Sequence, residues 1–125
     1  MSEQKKGDLT IRVLAMPRDT NPSGDVFGGW LLSQMDIAGG VFCRKIAKGR
    51  VVTVAIDSTT FKLPVFVGDT LCCYVHLIKK GRTSLTVGIE AWVNREFGEE
   101  GSSIKVTEGQ YTYVKVDDNR TPLPI

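Results

Sequence analysis

The chain has little of what most catalytic sites are built from. Its 125 residues include one histidine, His76, and three cysteines, Cys43, Cys72 and Cys73. Cys72 and Cys73 are adjacent, so on a strand they point to opposite faces and form no CxxC pair. An odd cysteine count with this spacing argues against a disulfide framework. Metal ligation needs Cys, His or carboxylate donors clustered at ligand spacing, and the sequence has no such run. A serine–histidine or cysteine–histidine nucleophile would have to recruit His76. With Val75 and Leu77 beside it, His76 reads instead as a structural residue on one face of a strand.

Charge of one sign is equally scarce. Sixteen Lys and Arg against 14 Asp and Glu leave a formal charge of +2, and no dense basic face suggests nucleic acid as a partner. No apolar run approaches the roughly 20 residues of a membrane span. The opening Met-Ser-Glu-Gln-Lys-Lys-Gly-Asp has no apolar segment after its charges. No signal peptide is read there, and the expected compartment is the cytoplasm. GxxxxGK[ST] and GxGxxG are both absent, so neither a P-loop nor a dinucleotide fold is supported.

What is present fits one domain over 1–125, with tails at about 1–8 and 118–125. A 42% hydrophobic content with so small a net charge is that of a folded chain. Phe27, Leu31, Met35, Ala38, Phe42 and Ile46 recur at three- and four-residue steps, which predicts a helix from about Asp25 to Ala47. Asp25 is the expected N-cap and Gly49 the expected stop. Strands are predicted over Leu9–Ala15, Val51–Phe61, Thr70–Lys80, Ser84–Asn94 and Ser103–Val116. The last changes apolar phase near Glu108-Gly109, which predicts a bulge or bend. Lys79-Lys80-Gly81-Arg82 predicts a hairpin turn, 95–102 a looser polar connection, and 120–125 a tail. The fold class is therefore α+β, an antiparallel sheet curled around a single helix. Thr70–Lys80 is apolar on both faces, and Val51–Ile56 is similar. One helix covers only one face, so a second subunit is expected on the other.

The least ordinary segment runs from Asp19 to Trp30, a polar turn feeding a helix that opens on Gly28-Gly29. Each glycine there costs roughly 1 kcal/mol of helix stability against alanine. In return the first N–H groups are left bare, able to meet an anion or a developing oxyanion. Close packing of helix on sheet would explain the same glycines. Asp36 lies mid-helix between Met35 and Ile37, on a face shared with Gly29, Ser33 and Gly40. It is either a solvated aspartate or a carboxylate reached by a ligand or a neighbouring subunit. Asn21 before Pro22 either closes a turn or holds a water or carbonyl. Asp57 lies on a polar strand end and carries less weight. Arg50, Lys79, Lys80 and Arg82 sit at turns, solvated or available to phosphates.

The run Asn21-Pro-Ser-Gly-Asp-Val-Phe-Gly-Gly-Trp-Leu-Leu-Ser-Gln-Met-Asp36-Ile-Ala-Gly-Gly resembles the signature of the hotdog-fold acyl-CoA thioesterases. More narrowly, it is similar to the short single-domain bacterial acyl-CoA hydrolases related to the brain-type cytosolic enzymes. The likeness continues through Gly49-Arg-Val-Val-Thr-Val-Ala, Phe61-Lys-Leu-Pro, Val67-Gly-Asp and Gly81-Arg-Thr-Ser, and spans about Leu9 to Asn119. It implies a long central helix wrapped by five or six antiparallel strands. It implies a dimer whose sheets join edge to edge, commonly a trimer of dimers, with Asn21 of one subunit working beside Asp36 of the other. The implied substrate is the thioester of an acyl-coenzyme A, with no further cofactor. Asp36 would act as base or nucleophile, the Gly28 or Gly29 amide as oxyanion hole, and Asn21 would position water or carbonyl. Arg82 with Ser84, and Lys80 or Arg50, would meet the phosphates and the pantetheine arm. A thiolate of pKa about 8.5 departs without a strong acid, so a site lacking histidine suffices. Related dehydratases place a histidine in the site, whereas His76 lies on another element. A catalytically silent acyl-CoA binding or sensing module on the same fold is the alternative.

Overall fold

In the computed structural model, residues 4–95 and 103–125 are described. Five strands and one long helix follow in the order β1 (Asp8–Leu14), α1 (Gly28–Ala47), β2 (Val51–Phe61), β3 (Thr70–Lys80), β4 (Ser84–Asn94) and β5 (Ser103–Lys115), with a single 3₁₀ turn at Pro17–Asp19 before the helix. The strands form one antiparallel sheet in the order β1-β3-β4-β5-β2. The looser connection expected over 95–102 lies, beyond Arg95, outside the described residues.

The helix crosses the sheet and touches all five strands. The alternation of β4 explains why: Leu85, Val87, Ile89, Ala91 and Val93 all point to the core, where they meet Leu31, Met35, Ala38 and Cys43 from the helix. Phe27, expected at the head of the apolar stripe, is exposed, and Phe42 and Ile46 are only half-buried. The buried line runs instead through Gly39, Cys43 and Ala47, because Gly39 packs directly on Tyr113 of β5. Among the described residues no helix is long and apolar enough to cross a membrane.

Two local expectations need correction. The N-cap is Phe27, not Asp25. The Asp25 backbone is consumed by a turn, its N–H donating to Asn21 Oδ1 at 3.1 Å and its carbonyl accepting from Asn21 N–H at 2.7 Å. At the other end Lys48 takes the left-handed conformation (φ 54°) ahead of Gly49. The bulge expected near Glu108-Gly109 is present in β5 a little earlier: Ala91 pairs Thr107 while Trp92 pairs Lys105, so Val106 is an extra residue. A second irregularity lies opposite Gly109. Asp57 pairs Gln110 and Thr60 pairs Glu108, so Ser58 and Thr59 of β2 together face Gly109.

The ends of the chain are docked as far as they are described. Lys6 N–H donates to Glu90 Oε1 at 3.1 Å, and the Lys5 ammonium lies 4.9 Å from the centre of the Trp92 ring. Gly7 (φ 100°) lies flush on the Val75 carbonyl, where no Cβ fits. This strap covers part of the outer sheet face that was expected to meet a second subunit, and Cys72 beneath it is buried. At the C-terminus Asp117 Oδ1 accepts from the N–H groups of Asn119 and Thr121, turning the chain back. Leu123 N–H then donates to the Lys115 carbonyl and Ile125 N–H to the Arg82 carbonyl, each at 2.8 Å, and Ile125 packs on the core. Apolar side chains remain exposed along the edge strand β2, at Val54, Ile56 and Phe61, and on the outer side of the helix, at Ile37 and Val41.

Candidate active site

Asp36 is the best-organised polar group on the helix. Its Oδ1 accepts from Thr53 Oγ1 at 2.7 Å and from Tyr113 Oη at 2.8 Å. The Tyr113 hydroxyl also lies 2.9 Å from the Asp36 carbonyl oxygen. Thr53 and Tyr113 are direct cross-strand partners on β2 and β5, so one rung of the sheet carries both donors. One turn earlier, Tyr111 Oη donates to the Leu32 carbonyl at 3.2 Å. Burial first, and then the neighbouring Asp36 carboxylate, push both tyrosine hydroxyls well above their ordinary pKa, and both stay protonated. Oδ2 of Asp36 has no donor among the described residues. On the face expected to be open and glycine-lined, Gly29 and Ser33 are exposed while Asp36 and Gly40 are half-buried.

Asn21 and Gly28 lie together at the start of the helix. They share a groove of about 360 Å³ with Leu31 and Phe61. Asn21 Oδ1 is committed to its own turn, accepting from Ser23 N–H at 2.9 Å and Asp25 N–H at 3.1 Å. What Asn21 has left to offer is its amide NH₂, a donor. The Gly28 and Gly29 N–H groups have no acceptor among the described residues, while those of Trp30 and Leu31 already bond the Phe27 carbonyl. The far wall of the groove is the loop leading to β3, tied down where Arg95 Nε meets Asp69 Oδ2 at 3.0 Å. Gly28 precedes Asp36 by eight residues, roughly 12 Å along the helix axis. Within one protomer, therefore, Asn21 and the two amides are kept apart from the carboxylate.

The basic candidates gather at the opposite end of the helix. Lys80, Arg82 and Ser84 belong to the β3–β4 hairpin, whose Lys80–Leu85 pairing is antiparallel as expected. Arg50 opens β2. The last residues of β5 join the two, Lys115 N–H donating to the Thr83 carbonyl at 2.9 Å and Val116 N–H to the Arg50 carbonyl at 3.0 Å. Lys80, Arg82 and Arg50 are exposed, and Ser84 is half-buried against Gly81. Arg50 also lines a groove of about 780 Å³ with Val41, Arg44, Lys45, Gly49 and Val51.

Four contributors were missed in the sequence. Thr53 and Tyr113 carry no local signal, since they lie 17 and 77 residues from Asp36. Arg44 and Lys45 looked like ordinary helix-terminal charges, although their spacing from Arg50 already hinted at a cluster. His76 lies flat on Gly88 on the outer sheet face, with Nδ1 unpartnered. Burial, then the Lys6 charge, lower its pKa against the pull of Glu90, so it is a neutral packing residue. Asp57 is exposed beside the bulge. Among the described residues no group of three or more His, Cys, Asp or Glu side chains could hold a metal ion.

The Thioesterase superfamily matches residues 23–96. Across the whole chain the protein is 48% identical to the acyl-CoA thioester hydrolase YciA of Salmonella typhimurium, covering 95% of that protein. It is 50% identical to the Escherichia coli YciA over 96% of this chain and 93% of that protein. A hexameric thioesterase from Yersinia pestis superposes with a TM-score of 0.92 at 50% identity, covering 98% of both chains. A hexameric hotdog-fold thioesterase of Campylobacter jejuni does so with a TM-score of 0.88 at 42% identity, over 95% of this chain and 90% of that one. Helix, sheet and sequence agree: the chain belongs to the Thioesterase superfamily and has its hotdog fold.

Proposed function

We propose that this protein hydrolyses the thioester of acyl-coenzyme A, releasing free coenzyme A and a carboxylic acid. The observation that carries the reading is near-half identity over the whole chain to acyl-CoA thioester hydrolases. The chemistry of the site suits it. Asp36 is a carboxylate with one oxygen anchored and the other unbonded. In the base route Oδ2 takes a proton from water as the water oxygen bonds the thioester carbon. The carbonyl oxygen gains charge and is met by the bare Gly28 or Gly29 amide at the positive end of the helix. Collapse breaks the C–S bond, and the proton held by Asp36 passes to the departing thiolate. In the nucleophilic route Oδ2 attacks the thioester carbon, the C–S bond breaks and coenzyme A leaves as its thiolate; water then cleaves the resulting anhydride, freeing the carboxylic acid and the Asp36 carboxylate, and the released proton passes to the thiolate.

The separation of Asn21 and Gly28 from Asp36 along one helix supports a site shared between two protomers. Asn21 and the amides of one subunit would then face Asp36 of the next, with Asn21 donating to the carbonyl or the water. The long edge strand β2, with Val54 and Ile56 exposed, is the surface we assign to edge-to-edge pairing of two sheets. Exposed Ile37 and Val41 on the helix suit a further contact, as in an assembly of three dimers. Arg50, Lys80 and Arg82, with Ser84, would receive the phosphates and the pantetheine arm, and Arg44 and Lys45 extend the same basic end.

Incubation with acyl-CoAs of several chain lengths, following free-thiol release, tests the proposal. Release well above background supports hydrolysis. Saturable binding without release would make the protein the silent acyl-CoA module instead.

A further inference from the structure

We propose that Thr53 and Tyr113 are positioning residues for this reaction: as a cross-strand pair they hold Oδ1 of Asp36 and leave Oδ2 as the one oxygen that meets water or thioester. The inference rests on the reading of Asp36 as the reacting carboxylate.

The two donors approach one atom from two strands. Thr53 Oγ1 lies 2.7 Å and Tyr113 Oη 2.8 Å from Oδ1. A carboxylate is acceptor-only when ionised, so both hydroxyls must donate. Tyr113 is held rigidly: its ring is buried and stacks on Tyr111 with centroids 6.5 Å apart and planes within 12°. Tyr111 and Tyr113 of β5 both stay protonated beside the Asp36 carboxylate, and Thr53 of β2 adds no charge. Two hydroxyl donors therefore hold Oδ1 from two strands. They also fix its rotamer, so that Oδ2 keeps one direction in every turnover. Chemistry that needs reacting atoms within about 3 Å of each other is sensitive to that direction.

The test compares wild type, Tyr113→Phe, Thr53→Val, Thr53→Ser and Asp36→Ala in steady-state thiol release, with thermal unfolding of each to establish folding. Tyr113→Phe keeps the ring, and Thr53 is exposed, so none of these changes removes core packing. Tyr113→Phe and Thr53→Val are each expected to lower kcat about 10- to 100-fold. KM should change far less, because the lost bonds are not to substrate. Thr53→Ser restores the rate. Folded Tyr113→Phe and Thr53→Val variants with wild-type kcat, beside a dead Asp36→Ala, would overturn the positioning role and leave Asp36 standing. Near-normal turnover by Asp36→Ala would overturn the reading of Asp36 itself.

Discussion

Gly39 lies directly against the hydroxyl of Tyr113, with no room for a Cβ between them. This notch lets the helix approach β5 closely enough for Tyr113 to reach the backbone and side chain of Asp36. Gly40, the next residue, has the Tyr113 ring only at 4.0 Å from where its Cβ would stand. The two glycines therefore predict opposite outcomes. Gly39→Ala should destabilise by about 1–3 kcal/mol through overpacking. Gly40→Ala should be neutral or stabilising by up to about 1 kcal/mol, since alanine is the better helix former. Urea unfolding of the two variants beside wild type reads both, and equal midpoints would refute the notch.

The cysteines predict chemical silence. Cys43, Cys72 and Cys73 are all buried, and burial pushes the Cys43 and Cys73 thiols up to about 12. A thiol-specific reagent at neutral pH should leave the native protein unlabelled and label it only after unfolding. Thiol release in a turnover assay then reports coenzyme A alone. Stoichiometric labelling of the native protein would show that the core opens on the timescale of the assay.

Stability should depend on pH in two separate windows. His76 has a folded-state pKa below its ordinary 6.5, from burial and then the Lys6 charge. Between those two values the unfolded chain binds the extra proton, so stability falls as pH drops through them and levels off below. Glu108 is shifted below its ordinary 4.5, first by its hydrogen bond from Lys105. Its contribution is present above 4.5 and is lost as pH falls through the lowered value. Unfolding midpoints of wild type and His76→Asn between pH 7 and 4 separate the two, the variant losing only the upper slope. An unchanged upper slope in His76→Asn would assign it to another group.

At the basic end, Arg50→Ala and Arg82→Ala should each raise KM for acyl-CoA several-fold, as expected for loss of one charge-assisted bond. The same variants should leave KM for an acyl-pantetheine, which lacks the nucleotide phosphates, at its wild-type value. Equal changes for both substrates would move the phosphates elsewhere.

Much of this architecture is written locally. β2, β3 and β4 occupy the predicted ranges because Val, Ile and Thr runs end at real punctuation, such as Gly68-Asp69 and Gly81-Arg82. Asp36, Asn21 and Gly28-Gly29 stand out because each breaks a local rule: a charge among apolar residues, or glycine in a first helical turn. What escaped is non-local. Asp25 looks like a cap until Asn21 claims its backbone, and Tyr113 looks like one more alternating core residue until the helix is laid across it. At the chain ends, Gly7 lies on the Val75 carbonyl of β3 and Ile125 N–H donates to the Arg82 carbonyl in the β3–β4 turn, partners far away in sequence that no local signal gives.

The central claim is that Asp36 of one subunit hydrolyses acyl-CoA beside Asn21 of another. Its most direct test mixes two inactive proteins. Asp36→Ala and Asn21→Ala should each fold and assemble, with turnover lowered by about 100-fold or more. Unfolded and refolded together in equal amounts, they should recover about a quarter of wild-type activity, the share of sites in random dimers that carry neither change. Near-normal turnover by Asp36→Ala alone, or no recovery in mixed assemblies, would contradict it.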